Sequence, residues 1–342
     1  MTRHIGVLIA DRSPSVRAVL RRLLEEGEKM AVVADVDDGR EASRLAAEKK
    51  PVAVILDLDL PSLGGRALVE SITTFAGVPI FVLVPRRDPA SARTAMGLCS
   101  NGVATVFPKP QTVDGWKALG KTLRDTVLQI GSRAVEAPQT PVEEHEPPVV
   151  RRELRYVAIG ASTGGPGAIH QLLAAIGQRP KFGVAVVQHI AEGFERTFSE
   201  WLAVELRMDV AVARHGEVLA AGMVRIAPPG QHLSVDRGGR LRLDEQAAAV
   251  RGHRPSVEIL FRSLLQQPAN RVAAVLLSGM GSDGAEAMSE LRAADVLTMA
   301  QDEASCAVFG MPRAAIERRA AIFALAPSQI GRLLARAEGA RV

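Results

Sequence analysis

The sequence is poor in aromatic residues, with one Tyr, two Trp and nine Phe among 342 residues, and poorer still in cysteine, of which it has two. Cys99 and Cys306 cannot build a disulfide framework, and no CxxC pair suggests a zinc site, so a disulfide-stapled or zinc-held fold is excluded. Long apolar runs are also missing: Val272 to Leu277 falls far short of the ~20 residues that a membrane-spanning helix requires, and no membrane insertion is expected. The opening MTRHIGVLIADRS has neither a long apolar stretch nor a small-residue cleavage site. That predicts no secretory signal and, with the two thiols, a reducing cytoplasm. Nor does one sign of charge dominate. The net charge is +4 and the arginines are scattered beside acids, as in Glu317-Arg318-Arg319, so a solvated mixed-charge surface is expected and a nucleic-acid partner is not.

What is present is a chain too long for one ordinary core, and two domains are expected. In the first half, short apolar runs (Ile5 to Ile9, Val52 to Leu56, Ile80 to Val84, Thr105 to Phe107) alternate with amphipathic stretches such as Val16 to Leu24. Runs apolar on both faces, separated by helices, predict a parallel sheet. A last helix is predicted near Trp116 to Ile130, with Leu119, Leu123, Val127 and Ile130 on one face. Residues 131–153 are rich in Pro and Glu without periodicity and read as an extended linker between a domain at 3–130 and one at 154–342. In the second half, Tyr156 to Gly160, Gly183 to Gln188, Val272 to Leu277 and Val296 to Ala300 predict further parallel strands, and His232 to Asp244, turning at Gly238-Gly239, predicts a β-hairpin. The expected fold class is α/β, with two doubly wound, mainly parallel domains: a flavodoxin-like first and a Rossmann-like second.

The most informative segment is YVAIGASTGGPGAIH, in which a strand enters a Gly-rich turn and then a helix with Pro166 in its first turn. Ser162 falls at the strand's carboxyl end, where open α/β sheets place ligands and where helical N–H groups suit an oxyanion. Two other readings compete. A Gly-rich strand–turn–helix also begins a dinucleotide site, but that fingerprint wants an acid at the end of the next strand, and GVAVVQHI ends in Gln188-His189. Ser162 could also merely cap the helix. Against capping stand His189 and Asp283, each predicted at another strand end, so that adjacent strands would assemble a Ser–His–Asp relay. Of the seven histidines, His215, His232 and His253 fall in predicted loops, and His253, in GHRPSVE, is the rival to His189. Cys306 lacks a Gly-rich turn and reads as a buried thiol.

GASTGGP, VVQHI with Phe194 and Phe198, HRPSVEILF, LSGMGSDGA and MAQDEASCAVFGMPRAA occur in one order over roughly residues 154–325, and together they resemble the catalytic domain of CheB-type protein-glutamate methylesterases. The resemblance implies hydrolysis of glutamyl γ-methyl esters on methyl-accepting chemoreceptors, and in many members deamidation of receptor glutamines, without cofactor or metal. It implies Ser162 as nucleophile, His189 as base and Asp283 as orienting acid, with the Met280 N–H at the oxyanion hole and Thr163 and Gly164 lining the site. The helical cytoplasmic part of a receptor and a CheA-type histidine kinase follow as implied partners. A catalytically silent regulatory protein of the same fold is the other reading; a DNA-binding regulator would need a basic helix-turn-helix that the second half lacks.

The first half resembles a response-regulator receiver. Asp57 matches the phospho-accepting aspartate and Lys109 the phosphate-contacting lysine, and Asp11 retains the first acid of the metal-binding pair. Arg12 stands where the second acid belongs, and Val84 where a hydroxyl residue does. A guanidinium repels Mg²⁺ and Val84 cannot bond a phosphoryl oxygen, so a pseudo-receiver is expected in which Arg12 and Lys109 both pair with Asp57. An atypical but working receiver remains the alternative.

Overall fold

The computed structural model describes residues 4–27, 29–85, 88–101, 103–134 and 152–337. The chain divides into two compact units, Met1–Thr140 and Pro141–Val342.

The first unit alternates strands and helices: β1 (Ile5–Ala10), α1 (Pro14–Glu25), β2 (Met30–Val36), α2 (Gly39–Lys49), β3 (Ala53–Leu56), α3 (Gly65–Ala76), β4 (Ile80–Pro85), α4 (Pro89–Gly97), β5 (Val103–Lys109) and α5 (Val113–Ala134). The sheet order is β2-β1-β3-β4-β5, and every pairing is parallel. Val7 to Ala10 and Ala53 to Leu56 are at most 1% exposed, so these central strands are buried on both faces, which is why their sequences are continuously apolar. Helix α1 starts on Ser13, whose side chain accepts the Val16 N–H, and α2 on Asp38, which accepts from Glu41; each offers an oxygen to otherwise unpaired first-turn amides.

Helix α5 runs past the predicted end, to Ala134. Gly131 is buried where a Cβ would lie 2.7 Å from Ile5 Cδ1, so the first residues of the expected linker are helix packed on β1. At its other end, Arg152 donates to the carbonyls of Ala269 and Asp295 at 3.3 and 2.8 Å and so belongs with the second unit. The intervening 135–151 part of that linker lies outside the described residues.

The second unit comprises β6 (Tyr156–Ala161), α6 (Gly165–Ile176), β7 (Gly183–Gln188), α7 (Phe194–Leu206), β8 (Asp209–Val212), β9 (Met223–Ile226), β10 (His232–Val235), β11 (Leu241–Asp244), α8 (Val257–Ser263), β12 (Val272–Leu276), α9 (Ala285–Ala293), β13 (Leu297–Gln301), α10 (Met311–Glu317), β14 (Phe323–Leu325) and α11 (Pro327–Ala337). Its main sheet has the order β14-β13-β12-β6-β7-β9-β8, all parallel, and β10-β11 form the expected antiparallel hairpin. His232 is therefore the first residue of a strand and buried, not a loop histidine.

Strands β12, β6 and β7 lie side by side at the centre, with Leu276 opposite Gly160 and Ala161 opposite Gln188. Their carboxyl ends open on one edge, which brings the segments after residues 161, 188 and 276 together. Helix α6 is held on this frame by α11, which buries Ile330, Leu333 and Leu334. Gly331 permits the close crossing, since a Cβ there would meet Leu172 O at 2.4 Å.

Candidate active site

The turn after β6 is fixed by its backbone. Ser162 N–H donates to Ser278 O at 2.9 Å and Gly165 N–H returns to Ser162 O at 2.8 Å. Gly164 has φ +82°, and a Cβ on it would meet Ser278 Oγ at 2.4 Å and Ala307 Cβ at 2.7 Å, so both conformation and space demand glycine. Thr163 is buried, and its carbonyl accepts the Ser278 hydroxyl at 2.8 Å. Helix α6 begins on Gly164 with no side-chain cap. Ser162 is thus not spent on capping the helix; it stands half-buried at the head of α6 with its hydroxyl free of that structural duty.

His189 follows β7, its N–H on Ala161 O at 2.9 Å, so it sits across from Ser162 on the neighbouring strand. The ring places Nε2 3.0 Å from Asp283 Oδ2. An ionised carboxylate only accepts, so Nε2 is the donor of this pair, and in the neutral ring Nδ1 carries the lone pair. Nδ1 is buried, with no hydrogen-bond partner among the described residues. The third predicted residue, Asp283, lies in the loop after β12 with its side chain 1% exposed. Burial pushes its carboxyl up, but the hydrogen bond and charge of His189, the Val257 N–H and the Ser256 hydroxyl outweigh burial, and the net displacement is below the usual carboxylate range.

Asp283 and Glu258 cap each other's helices. Asp283, two residues ahead of α9, accepts the N–H groups of Val257 (2.8 Å) and Glu258 (3.2 Å) and the Ser256 hydroxyl (2.7 Å) at the start of α8. Glu258, from α8, accepts the N–H groups of Gly284 (3.1 Å), Glu286 (3.2 Å) and Ala287 (2.7 Å) at the start of α9. Burial holds the Glu258 carboxyl above its ordinary range, with those amides and Arg262, 3.6 Å away, pulling the other way.

The Met280 loop lies against the turn of Ser162. A Cβ on Gly279 would lie 2.4 Å from Met311 Sδ and 2.7 Å from Ser162 Cβ, so only glycine lets the half-buried Met280 backbone come this close. Gly279→Ala should therefore push the two segments apart and lower turnover about a hundredfold, the scale of an ångström's misplacement. Steady-state kinetics on a variant with an unchanged circular dichroism spectrum checks this, and wild-type turnover would refute it.

Sequence reasoning missed Gln188. Its Nε2 donates to Ser162 O at 2.8 Å and to His189 O at 2.9 Å, tying the two strand ends together from a fully buried position. A lone amide closing an otherwise apolar strand was the available signal. His253, the rival histidine, does not pair with Asp283; its ring stacks on His189, centroids 4.0 Å apart and planes 3° apart. Cys306 is buried, as expected, and burial pushes the Cys99 thiol up to about 12.

In the first unit, Lys109 Nζ lies 2.7 Å from Asp11 Oδ2 and 2.5 Å from Asp57 Oδ2 at the carboxyl ends of β1, β3 and β5. The expected partnership of Arg12 with Asp57 does not form. Arg12 is exposed, and the two buried carboxylates already share one ammonium, so a second cation gains more from water than from that site. Asp11 and Asp57, the two acids that the family's pattern keeps here, both face the Lys109 ammonium.

Similarity to known proteins agrees with this geometry. Residues 157–334 match the CheB methylesterase family model, and residues 7–117 match the response regulator receiver domain. Protein-glutamate methylesterase/protein-glutamine glutaminase 3 of Hahella chejuensis is 36% identical, over 96% of this chain and 97% of the relative. Protein-glutamate methylesterase/protein-glutamine glutaminase 2 of Pseudomonas aeruginosa is 32% identical, over 93% and 92%. The crystal structure of the Thermotoga maritima CheB methylesterase catalytic domain superposes with a TM-score of 0.51 at 29% identity, covering 54% of this chain and 98% of that one. The match covers residues 157–334 of the second unit, which include Ser162, His189 and Asp283, and the receiver match precedes it in the same chain. The protein therefore belongs to the CheB methylesterase family, with a response-regulator receiver domain ahead of its methylesterase domain.

Proposed function

We propose that the chain hydrolyses glutamyl γ-methyl esters on methyl-accepting chemoreceptors, releasing methanol, and deamidates receptor glutamines at the same site. The observation that carries the reading is the part-buried His189–Asp283 pair, 3.0 Å apart, beyond the strand ends that flank that of Ser162. His189 Nδ1 takes the Ser162 proton as Oγ attacks the ester carbonyl, and Asp283 holds the tautomer and stabilises the imidazolium. The tetrahedral oxyanion falls beside the Met280 N–H. His189 then protonates departing methanol, and water, activated the same way, releases the glutamate carboxylate and restores Ser162. Every proton passes through His189, and no metal or cofactor enters a step. Methanol release from a methylated receptor fragment by the full chain tests the reading. No release from authentic methylated substrate overturns it and favours a silent regulatory protein.

The receiver domain regulates or positions the esterase, with a CheA-type kinase as a docking partner. Because Lys109 occupies both Asp11 and Asp57 and Arg12 replaces an acid, it does so without a phosphoryl switch. Incubation with acetyl phosphate and Mg²⁺ is expected to leave Asp57 unmodified by intact-mass measurement; one phosphoryl group per chain would show a working receiver instead. Among the described residues no helix is long and apolar enough to cross a membrane, and action on the cytoplasmic part of the receptor is the matching proposal.

A further inference from the structure

His253 is the histidine that the relay leaves unused. It sits in the turn before α8, its backbone paired with Val250 through hydrogen bonds of 2.9 and 3.0 Å. Its ring lies over that of His189 at 4.0 Å, with the planes 3° from parallel. Near-parallel stacking of two rings packs them against each other and fixes their planes. The contact strengthens when one ring is a cation and the other presents a neutral π-face, and turns repulsive when both are charged. His189 is charged while it holds the Ser162 proton, which is the interval spanning the transition states.

We propose that His253 is a positioning residue whose neutral ring holds the His189 imidazole in place and stabilises its imidazolium as the tetrahedral intermediate forms. The proposal rests on His189 being the base. Its surroundings keep His253 neutral: burial first, then the neighbouring His189, hold it below the usual imidazole range, against a smaller pull from Asp283. The flanking cations are engaged elsewhere. Arg251 reaches Glu286 at 2.5 Å and Ser282 at 3.4 Å, and Arg254 reaches the carbonyls of Glu245 and Ala247 at 2.8 and 3.0 Å. The arrangement therefore offers the His189 imidazolium of the reaction a carboxylate at Nε2 and an uncharged π-face on its plane.

Three substitutions in the full chain separate this role from packing, with methanol release giving kcat and KM. His253→Phe keeps a neutral ring and is expected to stay within about threefold of the wild-type kcat. His253→Ala removes the face and should lower kcat about tenfold with KM within about twofold. His253→Arg puts a flat, permanent cation there and should be slower than the alanine variant. A phenylalanine variant as slow as the alanine one, or an arginine variant as fast as the phenylalanine one, overturns the proposal. Ser162→Ala is assayed alongside. If it retains activity, the serine relay itself has failed; if it is inactive while all three His253 variants match wild type, only the stacking role has failed.

Discussion

Ser162→Ala is expected to abolish measurable methanol release, with turnover falling toward the ~10⁶-fold loss seen when a triad nucleophile is removed. The size of the effect follows from what the hydroxyl does and from what it does not do. It stands at the carboxyl end of β6, beside the neighbouring strand end that carries His189, and it makes no helix cap. Deleting it removes the covalent route while leaving the turn's backbone bonds to Ser278 O and Gly165 N–H intact. The same variant should therefore unfold within about 0.5 kcal/mol of wild type, as replacements without a structural role do. Loss of activity with unchanged stability identifies a nucleophile. Near-normal turnover removes Ser162 from that role, and a large loss of stability would recast it as a structural residue.

Asp283→Asn should cost both catalysis and stability. The amide is isosteric but presents either an NH2 group to the Nε2–H of His189, forcing the other tautomer, or an NH2 group to the amides of α8. A loss of about four decades in turnover is the scale for an orienting acid replaced this way. Stability should fall by roughly 2 kcal/mol, since hydrogen bonds to a charged acceptor contribute about 1.5–3 kcal/mol each and at least one is lost. The pH dependence gives an independent sign. The folded carboxyl lies below its unfolded value, so its contribution is present above the unfolded carboxylate pKa of about 3.9 and disappears as pH falls through the folded value. Denaturant midpoints of wild type and variant should thus differ at neutral pH and converge in acid. A constant gap down to the acid transition would mean that Asp283 carries no such linkage.

The sequence was most legible where strands are central. β1, β3, β6, β7 and β12 are apolar on both faces, and their composition announces it. Three edge strands were passed over for the same physical reason in reverse. β2 exposes Val33, β8 begins on the exposed Asp209, and β14 is only partly covered. β9 escaped notice because Arg225 interrupts its apolar run; that side chain is buried only because Asp209 and Glu217 hold it at 2.9 and 2.8 Å. In the site, Ser162, His189 and Asp283 were readable because each follows a readable strand, and the shared family motifs tied them together. The side-chain geometry between distant segments was not readable. Nothing local connects Asp283 with Val257, or Glu258 with Ala287, and no pattern tells that Arg12 turns to solvent while Lys109 turns inward.

The crossed caps between α8 and α9 also bear on how such a domain can be recombined. Each segment supplies the carboxylate that completes the other's helix, so a graft moving residues 253–263 without 278–290 from a relative brings in one half of a lock without its key. Unless the incoming segment carries an acid of matching reach, three amides at one helix start lose their acceptor, and the acid beside His189 loses its seat. Chimeras should therefore tolerate exchange of both segments together far better than exchange of either alone.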